Sequence, residues 1–234
     1  MDVSSFLKYP LYEIPFVFVV LLIAFTLHEF AHAFTAYKFG DRTAYELGRV
    51  TLNPRVHLDI IGTILIFVAG FGWAKPVPVN RSKFRNPRLM GIVVSLAGPV
   101  SNLLIAFAGL LVAYILAKYG LLDASSIGVK KAVKLFLELL ISLNLILFLF
   151  NLIPLPPLDG YRVVEDLLPI QWRLKIRQYE QWAIYIFMLM VFIPPIAHIT
   201  LGPVFSLQLP LFNGMNAILS SIFQYKLNWT AFLK

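Results

Sequence analysis

The chain has 234 residues, 59% of them hydrophobic and 14% charged, with a mean hydropathy of +0.78 and a formal net charge of +8. Soluble domains carry about 25% charged residues; this composition excludes a soluble enzyme and a disordered segment and points to a compact multi-pass membrane protein. The cations lie between apolar runs rather than on one basic face, which argues against nucleic acid, and the lack of cysteine excludes disulfides, thiolate metal sites and a cysteine nucleophile.

The first fifteen residues hold one lysine and two acids and show no small-residue cleavage site, so the first apolar run is expected to be a permanent span, not a cleaved signal. A spanning helix needs roughly 20 apolar residues, and four runs qualify. They are Ile14 to Phe39, Leu89 to Lys118, Ala132 to Ile153, and a run from Gln181 interrupted by Pro194 and Pro195. The stretch Ile60 to Trp73 is short and glycine-rich, and Pro76 and Pro78 follow it. Those prolines favour extended backbone, so residues 60–80 are expected to enter and leave the bilayer from one side. Non-helical backbone survives at membrane depth only inside protein or along a watery cavity. Leu209 to Leu233 mixes polar and apolar residues and is expected to be an interfacial helix. With the re-entrant element not crossing, alternate sides hold 13 and 7 Lys and Arg residues. The heavier side is cytoplasmic by the positive-inside rule, and the N-terminus is then outside. The expected architecture is all-α and polytopic: about four transmembrane helices, a re-entrant extended or β element and a C-terminal interfacial helix.

The first span contains His28-Glu29-Phe30-Ala31-His32. One helical turn separates the two histidines, so both imidazoles can reach one metal ion, with Glu29 beside them as a proton acceptor rather than a ligand. Four His and six Glu in this chain would produce roughly 0.002 such matches by chance. The bland alternative, a pair of hydrogen-bonded helix histidines, is weakened because ionisable groups at membrane depth are costly and usually functional. A catalytic zinc needs a third protein ligand and an open position. Asp159 is the acid that stands beside a disrupted apolar span, in Asn151-Leu152-Ile153-Pro154-Leu155-Pro156-Pro157-Leu158-Asp159-Gly160. Three prolines end the third helix there and can turn Asp159 back toward the histidines; the alternative is that Asp159 simply caps the next helix.

These motifs together resemble the site-2 protease family of intramembrane zinc metalloproteases. The match rests on HEFAH in the first core helix, LAGPVSN in the second and NLIPLPPLDG after the third, over about residues 20–165. FGWAKPVPVNRSKFRNP and GRVTLNPRVHLDIIG are similar to its compact bacterial members. The resemblance implies one Zn2+ held by His28, His32 and Asp159, Glu29 as catalytic base, and cleavage of membrane-spanning segments of other proteins. It places Asn102 at the family's polar position after Gly98-Pro99, where its amide is expected to donate to the substrate carbonyl or oxyanion, or else to hydrogen-bond between helices. Asn151 either orders the third motif's loop or touches substrate, and residues 72–80 occupy the family's re-entrant segment, whose backbone could pair with an extended substrate. Gly98 and Gly109 are read as close-packing positions.

His57 and Asp59 form a second polar pair near the membrane, readable as supporting groups, a gate, a transient metal site or an ordinary surface loop. His198 is read as structural or interfacial, and Glu138 and Asn144 as bundle contacts. Only about a dozen residues, Tyr119 to Lys130, join the second and third spans, too few for a PDZ-type insertion, and no CBS-type nucleotide-sensing tail is expected after residue 234. One metalloprotease domain is thus expected over residues 1–234, with a core at about 14–168 and peripheral helices at about 180–234. It is expected in the cell (inner) membrane, its active site opening to the cytoplasm, with the bilayer and substrate spans as partners. Two other classes use the same residues. A metal transporter would need a polar path through the bundle. A non-cutting membrane-helix binder would have no need of Glu29.

Overall fold

The computed structural model describes residues 9–69 and 72–228. Three long helices form its frame: α1 (Ile14–Lys38), α4 (Pro87–Lys118) and α5 (Ile127–Asn151), each containing an 18-residue window of mean hydropathy 2.2. At 1.5 Å per residue the 25 residues of α1 reach about 37 Å, enough to cross a hydrocarbon core of about 30 Å. Local chemistry marks the starts. Pro87 follows the N-cap Asn86, whose side chain accepts from Leu89 N–H, and Ser126 caps α5 by accepting from Val129 N–H.

Lipid tails are as apolar as leucine, so helices in a membrane associate through close packing and hydrogen bonds rather than by leaving water. The buried face of α4 is built for close packing. Gly91, Ser95, Gly98, Asn102, Ala106, Gly109 and Ala113 recur every three or four residues and are all buried. Against this stripe of small residues lie α1 and α5, while large side chains such as Phe18, Val93, Leu104 and Val112 point outward. The buried stripe of α1 runs through Val17, Leu21, Ala24, His28, His32 and Ala36. Helical periodicity therefore turns both histidines into the bundle.

Between α1 and α4 come a short helix, α2 (Thr43–Glu46), then α3 (Ile60–Ala69) and an extended return through residues 72–80. The first arm of the expected re-entrant element is helical; Asp59 starts it by accepting from Gly62 N–H at 2.8 Å. The return arm is extended, as Pro76 and Pro78 require, and residues 70 and 71 of the expected element lie outside the described residues. Among the described residues the β pairing is limited to one antiparallel bridge, Leu58 to Ala74.

After α5 the proline-rich turn leads into α6 (Asp159–Leu167) and α7 (Ile170–Arg177). The expected fourth span is α8 (Glu180–Phe192) followed by α9 (Pro194–Thr200), which meet at an angle of 100°. Ile193, ahead of two prolines, is driven out of the helical region to φ −99°, ψ 105°, so the run turns instead of continuing in line. Then come α10 (Gly202–Ser206) and α11 (Gln208–Phe223). One face of α11, with Met215 and Leu219, packs on Leu110, Tyr114, Ile141 and Leu145 of α4 and α5, and the other exposes Ile218 and Ile222. The end of the expected interfacial stretch, 229–233, lies outside the described residues.

Candidate metal centre and active site

The two ends of the sequence pattern meet. His28 Nε2 and His32 Nε2 are 3.0 Å apart, and Asp159 Oδ2 lies 3.2 Å from the first and 3.3 Å from the second. Asp159 reaches them because α5 stops at Asn151 and the chain doubles back. Gly160 is pressed so closely on the Leu152 and Ile153 carbonyls that a Cβ there would collide with them. The N-cap of α6 is Leu158, and Asp159 is the first helical residue, its carboxylate turned to the imidazoles rather than to the helix end.

Each imidazole is fixed by its other nitrogen. His32 Nδ1–H donates to the Val94 carbonyl at 2.7 Å. That carbonyl lies in the turn before Pro99, which lacks an N–H and kinks a helix. His28 Nδ1–H donates to Asn102 Oδ1 at 2.7 Å. The amide orientation follows from a chain anchored on backbone: Asn144 Nδ2 donates to the Leu140 carbonyl at 2.8 Å, and Asn102 Nδ2 donates to Asn144 Oδ1 at 2.9 Å. With both protons on Nδ1, the two Nε2 atoms present lone pairs. Asp159 Oδ2, buried and without a hydrogen-bond donor of its own, presents a third. Three lone pairs converging on one point repel one another unless a cation sits between them.

The spacing suits zinc. Bonds of about 2.0–2.2 Å in a tetrahedron make edges of roughly 3.3–3.6 Å, close to the separations found here. A Cβ on Gly98 would run into His28 Nε2 and His32 Nε2, so α4 brings bare backbone against the site, which opens on a cavity. That cavity, of about 820 Å³, is lined by Glu29, Val77, Asn151 and the three converging residues, among others. Glu29 is buried beside them, and its Oε2 accepts from Val77 N–H at 2.8 Å.

The other singled-out residues have their own partners. Asn102 lines the cavity, with its oxygen on His28 and an N–H on Asn144, an arrangement that bridges helices. Asn151 lines the cavity while donating to the Leu147 carbonyl at 3.0 Å. His57 is fully buried, its Nε2 on the Thr51 carbonyl, and joins no metal group among the described residues. Glu138 pairs with Lys134 at 3.7 Å, and His198 is exposed on α9. Asn144, read from sequence as a bundle contact, is one, and also backs the His28 support.

Single-sequence reading missed the charged cluster at the cavity's rim. Arg81 bonds Asp166 at 2.8 Å and lies 3.5 Å from Glu165, while Arg162 and Arg177 also hold Glu165 and Arg173 holds Asp166. Burial pushes the Glu165 carboxyl up, but hydrogen bonds from Arg177 and Arg162 hold it below its ordinary value. Burial lowers the Arg81 guanidinium despite the charges of Asp166 and Glu165. No short motif encodes this cluster, because its members are separated by up to 96 residues in the chain.

Known proteins agree with the geometry. The profile of peptidase family M50 matches residues 129–194. YwhC of Bacillus subtilis, named as a candidate zinc metalloprotease, is 50% identical over 226 residues, covering 94% of this chain and 98% of YwhC. The chain belongs to peptidase family M50. Its similarity extends to Rip2 of Mycobacterium tuberculosis, 34% identical over 178 residues (74% of this chain, 65% of Rip2). It extends also to a Methanocaldococcus jannaschii protein, 30% identical over 170 residues (70% of this chain, 78% of that protein). No solved structure matches it. M50 comprises the site-2 proteases, so this chain is a multi-pass membrane zinc metalloprotease, and His28, His32 and Asp159 are the residues that could hold its zinc.

Proposed function

We propose that this metalloprotease cuts peptide bonds within the membrane-spanning segments of other proteins, in the cell (inner) membrane, with its active site open to the cytoplasmic side. His28, His32 and Asp159 are its zinc ligands and Glu29 its general base. The observation that carries the reading is the convergence of three lone pairs, 3.0 to 3.3 Å apart, on the buried stripe of a membrane-spanning helix. A bound zinc ion supplies Lewis acidity, polarising a carbonyl and making water nucleophilic near neutral pH.

The chain's own groups do the rest. Val94 and Asn102 hold the imidazoles in the tautomer that ligates, which makes Asn102 a positioning residue here. Glu29, in the same cavity, takes a proton from the attacking water and returns it to the leaving amine. The extended stretch 74–79 lines that cavity through Ala74, Pro76, Val77 and Val79. A substrate span must unwind before its carbonyls can be reached, and extended backbone beside the site favours an unwound segment. Substrate segments with helix-weakening residues are therefore preferred.

Purified protein in micelles, given a single-span peptide, tests this. Glu29→Gln should retain zinc and lose at least a hundredfold in cleavage rate, the low end for a general base; Asp159→Ala should lose zinc as well. Normal cutting by Glu29→Gln would remove the base from the reading. Capture of the peptide without cleavage by the wild type would favour a binding protein.

A further inference from the structure

Arg49 is buried, 7% exposed, yet no carboxylate lies in hydrogen-bond or ion-pair contact with it among the described residues. An unpaired buried cation is costly, so its partners matter. They are backbone carbonyls of the re-entrant return arm: Nη2 donates to Lys75 O at 2.6 Å and Nη1 to Pro76 O at 3.4 Å. The arm is held on this side a second time, since Lys75 N–H donates to the His57 carbonyl at 2.8 Å.

The other side of the same stretch faces the active site. Pro76 and Pro78 have no N–H, so within residues 76–78 Val77 carries the one amide hydrogen, and it goes to Glu29 Oε2. A peptide unit is planar, with carbonyl and N–H on opposite edges. The Pro76–Val77 peptide therefore has its oxygen on Arg49 and its hydrogen on Glu29, and turning one end turns the other. Burial lowers the Arg49 guanidinium, and the Glu29 carboxylate acts on it in the opposite sense, as expected for charges within reach across one peptide. Pro76 and Val77 line the cavity and Arg49 does not, so the guanidinium acts from behind the extended arm.

We propose that Arg49 is a positioning residue for proteolysis, fixing the orientation of the Glu29 carboxylate through the Pro76–Val77 peptide. This rests on Glu29 being the base. It explains why a buried cation is held on backbone carbonyls of the return arm, and why that arm reads Pro-Val-Pro where it passes the active site.

The test uses the full-length zinc-loaded protein in micelles and one single-span peptide substrate, with kcat, KM and bound zinc measured separately. Arg49→Gln removes the hold on the carbonyl, and Val77→Pro removes the N–H in a stretch already flanked by prolines. Each should lower kcat roughly 10- to 100-fold, the penalty of a catalytic group slightly out of place, with KM and zinc content at wild-type values. The double variant should be no slower than the slower single, because both break one linkage. Arg49→Lys, which keeps a cationic donor for the carbonyls, should recover most of the lost kcat. The proposal is overturned by wild-type kcat in either single variant, by additive losses, or by a loss confined to KM or zinc content. If Arg49→Gln fails to accumulate in the membrane, wild-type kcat in Val77→Pro alone overturns it. Glu29→Gln run in parallel separates the two ideas. An inactive Glu29→Gln beside a fully active Arg49→Gln removes Arg49 only, whereas a cutting Glu29→Gln removes the base itself.

Discussion

The side chains that converge at the centre of this protein depend on partners in the neighbouring helices. His28 is held by Asn102, Asn102 by Asn144, and Asn144 by the Leu140 carbonyl, so a hydrogen-bond chain runs from α1 through α4 to α5. Both asparagines are completely buried. Asn144→Leu would leave a buried Asn102 N–H without its partner, at a cost of about 1–3 kcal/mol, and free that amide to rotate away from His28. We expect the variant to fold and reach the membrane but bind zinc roughly 10- to 100-fold more weakly, the usual effect of removing a ligand's outer partner. Competition with a chelator measures this directly; unchanged zinc affinity would make the chain a packing feature. His28, Glu29 and His32 were legible in the sequence because a helix converts a spacing of four into one face. Asn144 was legible as a bundle contact but its partner was not, because nothing in a single polar residue of an apolar helix says which neighbour it faces.

Elements meet at this site through their ends. Two hydrogen-bonded anchors hold the re-entrant return arm where it leaves the cavity: Asp41 accepts Asn80 N–H at 2.6 Å, and Arg81 pairs with Asp166 of α6. Because α6 begins with Asp159, the Arg81 contact ties the arm that lines the cavity to the helix that carries the carboxylate. The turn into α6 was foreseeable from its prolines, which cannot continue a helix. The lock was not, since Arg81 and Asp166 look like ordinary loop charges until the fold buries them. Arg81→Gln leaves Asp166 with Arg173 alone and a second carboxylate oxygen already lacking a partner. Removing one member of a buried pair costs up to about 3–5 kcal/mol, less here because Arg173 remains. The expected outcome is a Tm lowered by several degrees and faster zinc loss, with kcat of the zinc-loaded protein reduced less than tenfold. Equal stability and zinc retention in variant and wild type would show that α6 needs no such tie.

Across the whole molecule, charge and packing give the same account of how the chain threads the bilayer. The cluster that joins Arg177 to Glu165 sits at the end of the bundle where α1 and α5 finish. At the opposite end Lys118, the last residue of α4, donates to the Phe223 carbonyl at the close of α11. Between Arg177 and Phe223 the chain has therefore passed from one end of the bundle to the other, although no straight helix in that stretch is long enough to cross. The bent pair α8–α9 with α10 and α11 accomplishes what the sequence suggested for one interrupted span. Its geometry was beyond single-sequence reading, because Pro194 and Pro195 announce a break but not an angle of 100°. With the ends so assigned, the connections rich in Lys and Arg lie beside the active site, and that side should be cytoplasmic. The lack of native cysteine makes the orientation simple to measure with single introduced thiols at exposed positions. In intact cells a membrane-impermeant thiol reagent should label Ala124→Cys, in the α4–α5 connection. It should reach Arg85→Cys and Gln178→Cys only after the membrane is opened. The reverse pattern would turn the protein over and put the zinc site on the outer side. Labelling of Arg85→Cys without Gln178→Cys would mean that α4 and α5 do not return the chain to the side it left.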